Sequence, residues 1–133
     1  IGVEKGLEFH TKFEPGAYVM GDYTALYSLA QNLIENAIKY TNAPGEITIS
    51  VYNEEDRAVF SVADTGVGID SSEQKNIFND FYRVGDEMTR STKGSGLGLA
   101  IVKRVAETHK ATISLSSKLG KGSTFTVRFK KVD

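Results

Sequence analysis

Glycine is placed unevenly along this chain, and that placement limits the possible fold more than any other feature. Seven of the thirteen glycines fall in three tight groups: Gly66 and Gly68; Gly94, Gly96 and Gly98; Gly120 and Gly122. Glycine inside a helix or strand costs about 0.5–1 kcal/mol relative to alanine, so the groups read as turns and the regular elements must lie between them. Leu7, Phe9 and Phe13 alternate with Glu8, His10 and Lys12, the pattern of a half-buried strand. Pro15-Gly16 turns the chain, Tyr18 to Met20 reads as a short strand, and Asp22 as a helix N-cap. From Tyr23 to about Thr41 the residues Leu26, Leu29, Leu33 and Ala37 form one helical stripe, which Asn42-Ala43-Pro44-Gly45 ends.

Glu46 to Tyr52 and Arg57 to Ala63 read as two strands joined by a hairpin turn at Asn53-Glu54-Glu55-Asp56. Asp64 to Lys93 holds only one short helical signal, near Ser72 to Phe78. A connection of that length in a compact domain is usually functional. Gly98 to Thr108 is a second amphipathic helix, and Thr112 to Ser117 with Ser123 to Phe129 form a final hairpin. Strands and helices mixed in this way predict an α/β two-layer sandwich: one mixed, mostly antiparallel sheet covered on one face by helices.

A length of 133 residues allows one domain with a real core, and we read 1–133 as a single domain. A formal net charge of −1 provides no general attraction to nucleic acid or an anionic membrane. No apolar run approaches the roughly 18 residues of a membrane span, and no signal peptide opens the chain. The lack of cysteine excludes disulfides and thiolate metal sites. Because Ile1 stands first, the sequence reads as a piece of a longer protein.

Three constellations carry chemistry. On the first helix, Asn32, Asn36 and Lys39 fall within about 60° of one another, beside the apolar stripe. Amide oxygens are hard ligands suited to Mg²⁺, and a lysine on the same stripe can meet phosphate oxygens. A solvated helix face is the ordinary alternative. The second is Asp64-Thr65-Gly66-Val67-Gly68-Ile69, directly after a strand. An ionised Asp64 only accepts hydrogen bonds; it suits the exocyclic amine of adenine and opposes the carbonyl that guanine presents there. A common Asp-Gly turn is the plainer explanation. The third is Lys93-Gly94-Ser95-Gly96-Leu97-Gly98, which runs into a helix and so offers backbone N–H groups and a positive dipole end to phosphates. It is neither a Walker loop nor a Rossmann fingerprint.

Taken together and in this order, the three resemble the ATP-binding catalytic domain of sensor histidine kinases, within the wider ATPase family shared with DNA gyrase. NLIENAIKYT (Asn32 to Thr41) is similar to the asparagine box, DTGVGI (Asp64 to Ile69) to the first glycine box, IFNDFYRV (Ile77 to Val84) to the phenylalanine box and KGSGLGLAIVKRV (Lys93 to Val105) to the second glycine box. The resemblance implies a Bergerat-type sandwich that binds ATP and Mg²⁺, with Asn36 as the main metal ligand and Asn32 assisting. It implies Lys39 at phosphate, Tyr40 against the nucleotide, Asp64 on the adenine amine, and Gly66, Gly68 and Ile69 around its pocket. Lys93, Gly94, Ser95, Gly96, Leu97 and Gly98 would line the phosphates, and about 70–95 would be a mobile ATP lid. Arg83 would reach the γ-phosphate during transfer. Phe78 and Phe81 would anchor the lid by packing, a purely core role, and Ser123 or Thr124 would approach the adenine through water, with Thr124 the site candidate.

One departure from the family is that His109-Lys110-Ala111 stands where a His-Gly-Gly type stop is usual. Another helix-cap geometry is therefore expected there. His10 lies on a strand and His109 at a helix end, so neither occupies a phosphoacceptor helix. The dimerisation and phosphoacceptor domain is expected upstream, with a response-regulator receiver domain as the next partner. The isolated domain is expected to be monomeric and cytoplasmic, and the full-length protein a homodimer open to membrane anchoring. A gyrase-like or chaperone-like ATPase module and a non-catalytic nucleotide-sensing domain remain as alternatives.

Overall fold

The computed structural model describes residues 6–14, 23–42, 44–78 and 98–130. Strand β1 (Leu7–Phe13) leads by way of helix α1 (Tyr23–Tyr40) to β2 (Gly45–Glu54), which turns directly into β3 (Arg57–Asp64). A single turn of helix, α2 (Ser71–Gln74), follows, then α3 (Gly98–Thr108) and the hairpin β4 (Thr112–Lys118) and β5 (Gly122–Lys130). The expected short strand at Tyr18 to Met20 and the N-cap at Asp22 lie outside the described residues.

Among the described residues, five strands form one sheet in the order β1-β2-β3-β5-β4. β1 and β2 run parallel, as a crossover through α1 allows, and the other pairs are antiparallel. The sheet is therefore mixed and mostly antiparallel, as the strand and turn pattern predicts. Helices α1 and α3 pack on each other and against one face. Leu29, Leu33 and Ala37 of α1 and Val102 and Ala106 of α3 meet Ile47, Val62, Phe125, Val127 and Phe129 in the core.

Strand β1 departs from expectation. It is not half-buried: only Leu7 is buried, while Phe9 and Phe13 are 40% and 65% exposed. Among the described residues it stands at the edge of the sheet, beside β2 only, and the alternation that marks it as a strand does not report how far the helices reach over it.

The end of α3 corrects a second expectation. No different cap geometry is used: Lys110 takes up the left-handed backbone that glycine usually supplies, with φ 55°. Lys110 N–H donates to the Glu107 carbonyl (3.1 Å) and Ala111 N–H to the Ala106 carbonyl (2.8 Å), the paired bonds of a Schellman motif. Ala111 then packs onto the core that Ala106 belongs to, which offsets the side-chain strain at Lys110.

Candidate nucleotide site

The site is built where the C-terminal end of α1, the end of β3 and the β4–β5 hairpin converge. Asp64 is the last residue of β3. Its cross-strand partners are Ile47 and Ser123. Both Val62 and Asp64 point toward the helices, so alternation carries the carboxylate to the open end of the core. There Asp64 Oδ1 accepts from Gly66 N–H at 2.8 Å and Ser123 N–H at 3.2 Å. These two bonds turn the carboxylate and leave Oδ2 without a donor among the described residues. Burial pushes the Asp64 carboxyl above its ordinary value of 3.8, and the two backbone N–H bonds partly offset that rise.

The turn after Asp64 is held on three sides. Val67 N–H donates to the Tyr40 carbonyl (3.1 Å), which ties it to the end of α1, and Gly120 N–H donates to the Val67 carbonyl (2.8 Å). Ile69 N–H donates to Ser117 Oγ at 2.8 Å. On the β2 side, Thr65 N–H donates to the Glu46 carbonyl and Glu46 N–H donates back to Thr65 Oγ1. Such close backbone contact explains the glycines. A Cβ on Gly66 would stand 2.3 Å from the Tyr40 carbonyl oxygen, and one on Gly68, whose φ is +76°, 2.1 Å from that of Lys118. Ile69 is buried in the core behind the turn.

On α1, Asn32, Asn36 and Lys39 are half-buried beside the buried stripe. Asn32 Nδ2 donates to the Ser28 carbonyl at 2.8 Å, with Ser28 Oγ at 3.3 Å. The amide is thereby turned so that Oδ1 faces the first residue of α3, 3.0 Å from the point a Cβ on Gly98 would occupy. The asparagine box and the start of α3 thus share one space. Lys39 Nζ lies 5.9 Å from the centre of the Tyr40 ring. Arg83, Phe81, Lys93, Gly94, Ser95, Gly96 and Leu97, and most of the expected lid over 70–95, lie outside the described residues. Phe78 meets Phe125 edge-on, with ring centres 6.2 Å apart.

Thr124 does not join this group. It pairs with Ala63 and points to the helix-free face of the sheet, whereas Ser123 pairs with Asp64 on the helix side. Ser123 is buried, and its Oγ lies 2.7 Å from Ser117 Oγ. The apolar alternation Phe125, Val127, Phe129 holds this information in the sequence, because stepping back by two reaches Ser123. Nothing in the sequence singles out Ser117, and Thr41 enters there only as the last residue of the asparagine box. Thr41 is fully buried, its hydroxyl has no partner among the described residues, and it faces Gly66.

The profile of the histidine kinase-, DNA gyrase B- and HSP90-like ATPases matches residues 21–133, most of the chain. The chain belongs to this ATPase family. Within it, the chain is 44% identical over 111 residues to the sensor histidine kinase RppB of Synechocystis, covering 84% of this chain and 24% of that protein. It is 44% identical over 115 residues to the phosphate regulon sensor protein PhoR of Pseudomonas aeruginosa, covering 86% and 26% respectively. The chain therefore spans about a quarter of the length of these curated relatives. Among solved structures, the mycobacterial sensor histidine kinase MprB superposes with a TM-score of 0.86 at 27% identity, over 98% of this chain and 88% of that one. Full-length ShkA in complex with AMPPNP gives 0.83 at 30% identity, over 98% and 27%. This ATPase domain is thus a member of the ATP-binding catalytic domains carried by sensor histidine kinases, and it has their sandwich fold.

Proposed function

We propose that this domain, spanning 1–133, holds Mg·ATP and donates the γ-phosphoryl group to a histidine on a phosphoacceptor domain outside it. The orientation of Asp64 carries the reading. Two backbone N–H groups occupy Oδ1, and the free Oδ2 is an acceptor suited to the adenine amine and opposed to a guanine carbonyl. Of Ser123 and Thr124, Ser123 is the one on the same face as Asp64, which favours its hydroxyl for the approach to adenine through water.

Asn36 and Asn32 are the residues that would hold Mg²⁺. The fit rests on the donor set: amide oxygens on one stripe of α1, with Asn32 Oδ1 turned toward Gly98 by the bonds from Nδ2 to Ser28. When bound, the ion neutralises phosphate charge. Lys39 adds a positive charge on that stripe, Gly94, Gly96 and Gly98 bring backbone N–H groups to the phosphates, and Arg83 of the lid over 70–95 meets the charge that spreads over the transferring group.

His10 lies on strand β1, and His109 Nδ1 lies 2.8 Å from the Val105 carbonyl, which accepts from it in the Nδ1–H tautomer. The accepting histidine is therefore assigned to another domain, the next acceptor to a response-regulator aspartate, and the whole protein to a homodimer. Asn32 supports this over a gyrase-like ATPase, because a carboxylate to activate water is expected at that position. No helix of the described residues is long and apolar enough to cross a membrane, consistent with a cytoplasmic domain. The test is incubation of the full-length protein with γ-labelled ATP. Acid-labile, base-stable label on protein is expected; phosphoserine, or hydrolysis without protein label, contradicts the assignment.

A further inference from the structure

On the face of the sheet opposite α1 and α3, three potential metal ligands meet. Glu8 and His10 are two residues apart on β1, so both side chains point to the same face. Glu46 of β2 is the direct parallel partner of Glu8. His10 Nε2 lies 3.2 Å from Glu46 Oε1 and 3.7 Å from Glu8 Oε1. One ligand atom from each residue lies within 4.8 Å of the other two. Two groups each about 2.1 Å from a tetrahedral ion sit about 3.4 Å apart, so these separations already approach those of a bound ion.

Two features favour a cation over a solvated charge cluster. Glu8 and Glu46 place like charges directly opposite each other, an arrangement that is destabilising unless something positive stands between them. The side chain that stands between them is an imidazole, which in its neutral form is the commonest metal ligand. We propose that Glu8, His10 and Glu46 form a site for a borderline divalent transition ion, of the Zn²⁺ class, with water completing the coordination. The imidazole separates this site from the Mg²⁺ end of the molecule, because Mg²⁺ takes oxygen ligands. A bound ion would clamp the edge strand β1 to β2, whose residue Glu46 also holds Thr65 of the Asp64 turn through two backbone-linked bonds.

The proposal is tested with Zn²⁺ itself, titrated calorimetrically into the nucleotide-free chain in excess Mg²⁺. One Zn²⁺ per chain is expected, with an upward shift in Tm on addition, since an ion that binds only the folded state stabilises it. Loss of a residue that merely orients a ligand costs 10–100-fold in affinity, so His10→Ala, which removes a ligand, should weaken binding at least about 100-fold. Glu46→Gln should also weaken it, and His109→Ala should leave it unchanged. Absence of binding up to about 1 mM Zn²⁺ overturns the proposal. So does binding that survives His10→Ala or disappears in His109→Ala.

Discussion

Two residues hold opposite kinds of stored cost. Asp64 is a carboxylate drawn out of water, and burial raises its carboxyl above the ordinary value. A carboxyl raised in the folded state contributes stability below its unfolded value, and that contribution is lost as pH rises through the folded value. The residue therefore weighs against folding at neutral pH, where its charge is needed for the ligand. Nucleotide affinity should accordingly decline on acidification at a pH above that of a solvent-exposed aspartate, and titration across that range should show no such decline in Asp64→Asn. Lys110 stores backbone strain instead, with φ 55°. Since a left-handed residue other than glycine costs roughly 1–2 kcal/mol, Lys110→Gly should stabilise the domain by about 1 kcal/mol in chemical denaturation. An unchanged midpoint would show that the side chain offsets the strain.

At the scale of elements, the glycine turn and the β4–β5 hairpin act as one unit. A Cβ on Gly68 would run into the Lys118 backbone, Gly120 N–H reaches Val67, and Ile69 N–H reaches Ser117. Gly68→Ala combines a positive φ with a 2.1 Å approach to a carbonyl oxygen, and should destabilise the fold by about 2–5 kcal/mol in denaturant titration. Asn36→Ala should behave differently. It lies on an accessible stripe of α1, so the fold should hold while the gain in nucleotide affinity on adding Mg²⁺ disappears. If affinity falls equally with and without the ion, Asn36 is structural.

For the molecule as a whole, much of the fold was legible because its signals are local. The stripe of Leu29, Leu33 and Ala37 and the two hairpins mark elements whose bounds agree with the structure to within about two residues. What periodicity does not carry is position within the sheet. The pattern of β1 is that of a half-buried strand, yet at the edge of the described sheet Phe13 is exposed. The site divides in the same way. Asp64, Gly66 and Gly68 announce themselves by type and spacing, whereas Ser117 and Glu46 join the turn only because distant strands bring them there. Ser123 and Thr124 are one residue apart, which in a strand is a change of face.

The measurement closest to the central claim is calorimetric titration of ATP and GTP into this domain and its Asp64→Asn variant, with folding checked by melting. Asparagine can keep the two backbone bonds to Oδ1 while placing an NH₂ donor against the adenine amine. A hydrogen bond to a charged group is worth about 1.5–3 kcal/mol. ATP should bind well ahead of GTP, and the variant should lose about 10- to 100-fold in ATP affinity with a melting temperature no lower than that of the parent. Undiminished ATP affinity in a folded Asp64→Asn domain, or equal affinity for ATP and GTP in the parent, would contradict that claim.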